Sequence, residues 1–225
     1  MDSLRTVIND IKVFFYGGLT TLPLSIAGTM LIIGMFTANY AMIFFLCGYL
    51  IFVPGIVLIV NMIMKAFDYS STRSSNCGIV IPFTTLRGTA SSSYNDGISY
   101  WLPMITFFIG YMLHNSISLY LMNFSNDSAN PESVKNRKML ACISFATIIV
   151  FAVIILYFRL VTECDSPLEM IPVTLLFTAL GAGYYYLINI HGELRLTDLF
   201  GIANRVLKPS ELNNGPIACA PVPVG

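Results

Sequence analysis

The chain has 225 residues, 56% of them hydrophobic and only 11% charged, and its twelve Lys and Arg balance twelve Asp and Glu to a formal net charge of zero. A soluble domain carries about a quarter charged residues and disperses them, whereas here a mean hydropathy of +0.73 accompanies charges gathered in the gaps between long apolar runs. That excludes an ordinary soluble domain and marks an all-α integral membrane protein, a polytopic helical bundle with most of its surface in lipid.

A hydrocarbon core of about 30 Å is crossed by roughly 20 apolar residues in helical conformation. Five runs reach that length, about 13–37, 40–64, 101–123, 139–160 and 170–190, so about five transmembrane helices are expected. Ahead of them, MDSLRTVINDIK (1–12) spaces Leu4, Val7, Ile8 and Ile11 as an interfacial segment would. Gly17, Gly18 and Pro23 interrupt the first run, whose start is therefore the least sharply defined. A cleaved signal peptide has a short apolar core before a soluble domain; here a second run follows almost at once, so the first is read as a retained span. Only TANY separates the two runs, which forces an antiparallel hairpin.

Residues 65–100 form the longest polar gap. Its Ser-rich start, the β-like GIVIPFTTL and an Asn-Asp-Gly turn signal fit a small hairpin at the membrane surface. Ser99 is placed to cap the third span. The third gap, FSNDSANPESVKNRK, reads as a solvated loop with a basic end. In the short gap before the fifth span, Glu163, Asp165 and Glu169 read as solvated acids. After residue 190, Leu196, Leu199, Phe200, Ile202 and Val206 predict a short amphipathic C-terminal helix that Lys208 and Pro209 would end, followed by an extended tail. The organisation is thus an interfacial segment (1–12), a transmembrane bundle (13–190) and a C-terminal segment (191–225). There is no internal repeat of the kind that builds inverted-repeat transporters.

Charge does not orient the chain. One side of a five-span arrangement collects Arg5, Lys12, Lys65, Arg73, Arg87 and Arg159, and the other Lys135, Arg137, Lys138, Arg195, Arg205 and Lys208. Glycosylation sequons at Asn123 and Asn126 would put the third gap in a lumenal or extracellular space. A disulfide between Cys77 and Cys164 would instead make the opposite side oxidising. The two signals exclude each other in a simple secretory membrane.

The third run, YWLPMITFFIGYMLHNSISLYLMN, carries polar residues near its middle. Tyr111, His114, Asn115 and Ser118 fall on one helical face and form a stripe that should meet other helices rather than lipid. The fifth run offers Thr174, Thr178, Gly181 and Tyr185, and the first Gly17, Thr21, Ser25 and Gly28, small residues that let backbones approach. Asn61 lies near the end of the second run. Trp101 and the tyrosines at 184–186 read as aromatic-belt anchors. The stripe is ordinary helix-packing material, or alternatively the lining of a pore in which His114 relays protons or binds a solute.

Chemistry of other kinds has no footing. The two histidines, His114 and His191, are separated by two spans, and no Cys-x-x-Cys or His-Glu-x-x-His spacing occurs, so no metal site is expected. No nucleophile elbow, phosphate-cradling loop or basic nucleic-acid patch is present, so no catalytic residue, cofactor or nucleic-acid partner is expected and the protein is not read as an enzyme.

YWLPMITFFIGYMLHNSISLY, together with GELRLTDLFGIANRVL and PIACAPVPVG, resembles the small multi-span inner-membrane proteins of nucleocytoplasmic large DNA viruses. The resemblance implies a multi-pass structural protein of the virion inner membrane or an endoplasmic-reticulum-derived membrane. It would link the bilayer to capsid or core through the 65–100 loop and the 191–225 tail. Minor capsid proteins, other membrane proteins or further copies of the chain would be its partners, with no catalytic residue to carry over. The competing expectation is a small channel or carrier using the stripe on the third span.

Overall fold

The computed structural model describes residues 17–67, 98–121, 131–162 and 165–191, together with Thr197 and Leu199. Five helices carry these residues: α1 (Leu22–Thr37), α2 (Tyr40–Ala66), α3 (Trp101–Leu121), α4 (Pro131–Val161) and α5 (Pro167–His191). A helical turn at 17–20 precedes α1, and no strand occurs among the described residues. Four helices, α2 to α5, are long and apolar enough to cross a membrane. The 16 residues of α1 make a shorter apolar helix, and the part of the expected first span before residue 17 lies outside the described residues.

The α1–α2 hairpin turns on two residues. Ala38 adopts the left-handed conformation (φ 50°), and the Asn39 amide returns to the Gly34 carbonyl at 3.0 Å, which satisfies an orphan carbonyl at the end of α1. Asn39 then caps α2, its Oδ1 accepting the Ala41 amide at 3.1 Å. Within α2, residues Gly48–Phe52 widen into a π-helical segment. Pro54 follows one residue after it; proline has no amide for the Leu50 carbonyl and its ring would crowd that oxygen in α-helical register, strain that the wider segment relieves.

Ring and hydrogen-bond contacts fix how the helices run. Phe108 lies against Phe151 and Lys138 over Tyr120, so α4 is antiparallel to α3. Phe45 meets Tyr111 while Asn61 meets Ile98, so α2 is antiparallel to α3 as well. Helix α5 runs parallel to α3, and α3 is the central element, with 14 of its 21 residues buried. Helix α4, by contrast, turns most of its apolar surface outward, as a lipid-facing helix does.

Two expectations need correction here. The fourth helix begins at Pro131, not near 139, so Lys135, Arg137 and Lys138 are helical residues rather than a solvated loop. Pro131 suits a first helical turn, where its missing amide costs nothing, and the sequence that follows has no helix breaker. The small-residue face of the first run also does not pack: Gly17, Thr21 and Ser25 are exposed and nothing approaches Gly17 or Gly28. Helix α1 instead buries Pro23, Ala27 and Gly34. Residues 68–97 of the expected 65–100 hairpin loop, Cys77, Cys164, Asn123 and Asn126 lie outside the described residues, as does most of the expected C-terminal helix.

Candidate functional site

The stripe on α3 lies where α3 and α5 approach most intimately. A β-carbon on Gly110 would overlap the Thr178 carbonyl, and one on Gly181 would overlap the Phe107 carbonyl, so the backbones touch directly. Above this contact, Tyr111 packs edge-on against Tyr185 (centroids 5.2 Å) and Phe45 (4.9 Å), while the His114 ring lies 4.9 Å from Tyr185. Phe107, Tyr184 and Phe52 extend the same aromatic cluster, with Phe107 5.6 Å and Phe52 5.8 Å from Tyr184. Rings from α2, α3 and α5 thus fill the middle of the bundle, and offset and edge-to-face pairs of this kind add to their burial energy.

The expected stripe residues are therefore partly assembled. Tyr111 is completely buried and donates its hydroxyl to the Thr197 carbonyl at 3.4 Å. Thr178 meets Gly110 through its backbone. Asn115 is 1% exposed, yet its Oδ1 accepts no hydrogen bond from a described residue, and the buried Thr174 Oγ1 likewise has no partner among the described residues. Ser118 is half-buried and makes no side-chain bond to a described residue. Ser116, off the expected stripe, does: its Oγ lies 3.0 Å from the Met112 carbonyl and 3.2 Å from Ser144 Oγ, a link between α3 and α4. Tyr184, too, acts between helices. Its hydroxyl donates to the Phe44 carbonyl at 2.9 Å, and its ring covers Gly48, where a β-carbon would come within 2.5 Å of Cε1.

A second constellation, at the end of the bundle that carries the start of α3, is absent from the sequence-based picture. Asp165 is not solvated: it forms a buried ion pair with Arg159, whose Nε donates to Asp165 Oδ2 at 2.7 Å, each side chain 3% exposed. The Arg159 guanidinium also stacks 4.6 Å over the Trp101 ring. Trp101 is in turn 1% exposed, its indole N–H donating to the Leu19 carbonyl at 3.0 Å, so it is a buried bridge and not a lipid-belt anchor. Nearby, Asn61 Oδ1 accepts the Ile98 amide at 2.6 Å and its Nδ2 donates to the Ile98 carbonyl. Ser99 Oγ accepts the Trp101 amide at 3.3 Å, as its capping position predicts. Tyr100, at the mouth of this cluster, has its phenol pKa raised by burial.

Chemically, these groups join elements. Arg159 ties the end of α4 to the start of α5, Trp101 ties α3 to the chain before α1, and Asn61 ties α2 to the chain entering α3. One signal in the sequence could have found the ion pair: opposite charges at 159 and 165 flank a connection too short to carry them apart. Among the described residues no group of three or more His, Cys, Asp or Glu side chains is arranged to hold a metal ion. No family model matches the chain, and neither curated proteins nor solved structures give a match.

Proposed function

We propose that the protein is a structural component of a membrane, acting through the rigidity of its bundle and through the chain it presents on both faces of the bilayer. The observation that carries this reading is the aromatic filling of the polar stripe. Tyr111, Tyr185 and Phe45 occupy with close-packed rings the volume that a water-filled path along His114 would need. The interhelical polar bonds support the same reading, since Tyr49 to Pro23, Tyr184 to Phe44 and Ser116 to Ser144 each couple two helices. Helix α2 ends at one end of the bundle and α5 at the other, so the chain segments that follow the two helices start from opposite sides. The resemblance to virion inner-membrane proteins names a setting in which such a component is used, between bilayer and capsid or core.

Two experiments test this. Purified protein in liposomes should pass no ions or small solutes, and His114→Leu should change nothing; flux that His114→Leu abolishes selects the channel or carrier reading instead. That second reading draws on the Asn115 Oδ1 beside His114, which has no partner among the described residues. For the setting, mass spectrometry of purified particles before and after detergent stripping should find the chain abundant in particles and lost with the lipid. Its absence from particles would leave the structural role and remove the virion.

A further inference from the structure

We propose that Thr197 and Leu199 act as a strap that locks the α1–α2 hairpin onto the α3–α5 pair at the end of the bundle opposite the Arg159–Asp165 cluster. Thr197 and Leu199 are both completely buried although they follow the last helix. Tyr111, which holds the Thr197 carbonyl, lies ten residues inside the far end of α3, about 15 Å of helical rise. Thr197 is therefore held against the middle of α3 rather than at its end. Two residues on, the Leu199 carbonyl accepts a hydrogen bond from Asn39 Nδ2 at 3.2 Å, and the Leu199 side chain belongs to the hydrophobic core.

The strap thus touches both halves of the molecule at once: Asn39 is the tip of the α1–α2 hairpin, and Tyr111 is the centre of α3. Asn39 makes the coupling two-sided. Its Oδ1 caps α2 while its Nδ2 holds the strap, so one carboxamide orders the first turn of α2 and Leu199 together. The opposite end needs no such piece, because Asn61, Trp101 and Arg159 belong to or directly flank the helices they join. The bundle is consequently fixed at one end and latched at the other, and anything that pulls on the chain beyond Leu199 acts on the latch. This inference does not depend on whether the protein is structural or conducts.

Hydrogen–deuterium exchange of the full chain in lipid nanodiscs tests it, comparing the native protein with Leu199→Glu, Leu199→Met and Tyr111→Phe. A carboxylate at 199 cannot stay in the core unpaired, so Leu199→Glu should speed exchange about tenfold or more across residues 34–48 and 105–115. Residues 57–66 and 98–104 should keep their native rates, Leu199→Met should behave as native, and Tyr111→Phe should show a smaller effect in the same places. If Leu199→Glu does not fold, cleavage at a protease site engineered after His191 in the already folded protein should give the same pattern. Unchanged exchange after Leu199→Glu or after cleavage overturns the strap, and so does an increase of equal size at both ends.

Discussion

Gly110 of α3 and Gly181 of α5 lie on opposite sides of one backbone contact in which neither has room for a β-carbon. The neighbours that a methyl would strike are carbonyl and amide groups rather than the ends of flexible side chains, so accommodation requires the two helices to move apart. Around this contact stand Phe107, Tyr111 and Tyr185, whose packing depends on that separation.

Gly110→Ala and Gly181→Ala should each therefore destabilise the protein by about 3 kcal/mol, the upper part of the usual overpacking range. Unfolding in detergent micelles reads the loss. Gly183→Ala is the control: nothing lies within 4 Å of its added carbon, so it should be neutral or gain up to about 1 kcal/mol from helix propensity. Equal behaviour of the three variants would contradict the close approach of α3 and α5.

The Arg159–Asp165 pair makes a different prediction. Removing one partner takes the buried counter-ion away from the other, so Asp165→Asn and Arg159→Met should each cost about 3 kcal/mol. The double variant Arg159→Met with Asp165→Leu should recover most of that, because neither charge of the pair then has to be desolvated. A double variant as unstable as the singles would mean that the pair supplies net stability beyond its own desolvation.

Asn115 offers a test in the opposite direction. Its Oδ1 is buried without a partner among the described residues, so Asn115→Leu, similar in volume, should leave stability unchanged or raise it by about 1–2 kcal/mol. A loss of similar size would show that the carboxamide is satisfied in the membrane by a group such as a buried water. Solute flux that disappears while stability rises would show a functional carboxamide.

Gly48 and Tyr184 should behave as a coupled pair. Gly48→Ala pushes a methyl into the Tyr184 ring and should cost about 1–3 kcal/mol, while Tyr184→Phe loses the bond to Phe44 and should cost about 1 kcal/mol. Combined with Tyr184→Ala, the Gly48→Ala change should add almost nothing, which a double-mutant cycle in detergent measures directly.

The helices themselves were legible because hydrocarbon thickness dictates run length, and the second, third and fifth runs matched α2, α3 and α5 to within three residues at each end. The stripe was legible in part: a period of 3.6 places Tyr111, His114 and Asn115 on one face, and Gly181 and Tyr185 do meet that face. Which neighbour each face meets was not legible for α1. Its Gly17, Thr21 and Ser25 look identical whether turned to lipid or to protein, because lipid exerts no hydrophobic force to separate the two cases. Asp165 was misread for another reason. A carboxylate at the edge of an apolar run looks solvated unless it is paired with the opposite charge across the short connection, and the folded geometry turns it inward with Arg159 beside Trp101. Trp101 was misread with it, since an indole at a membrane boundary has the same sequence signature as a belt anchor and as a buried bridge.

The length of α4 carries one more consequence, and it concerns clearance. Lys138 sits over Tyr120 at the end of α3, so residues 131–137 rise past that end by about 10 Å at 1.5 Å per residue. A shell or protein layer lying parallel to the bilayer on this side would meet the tip of α4 before it met the rest of the bundle. If the protein holds such a layer, as proposed above, the register of α4 with α3 would set the gap, and shortening the helix by two turns would be the direct way to let the layer settle closer to the lipid.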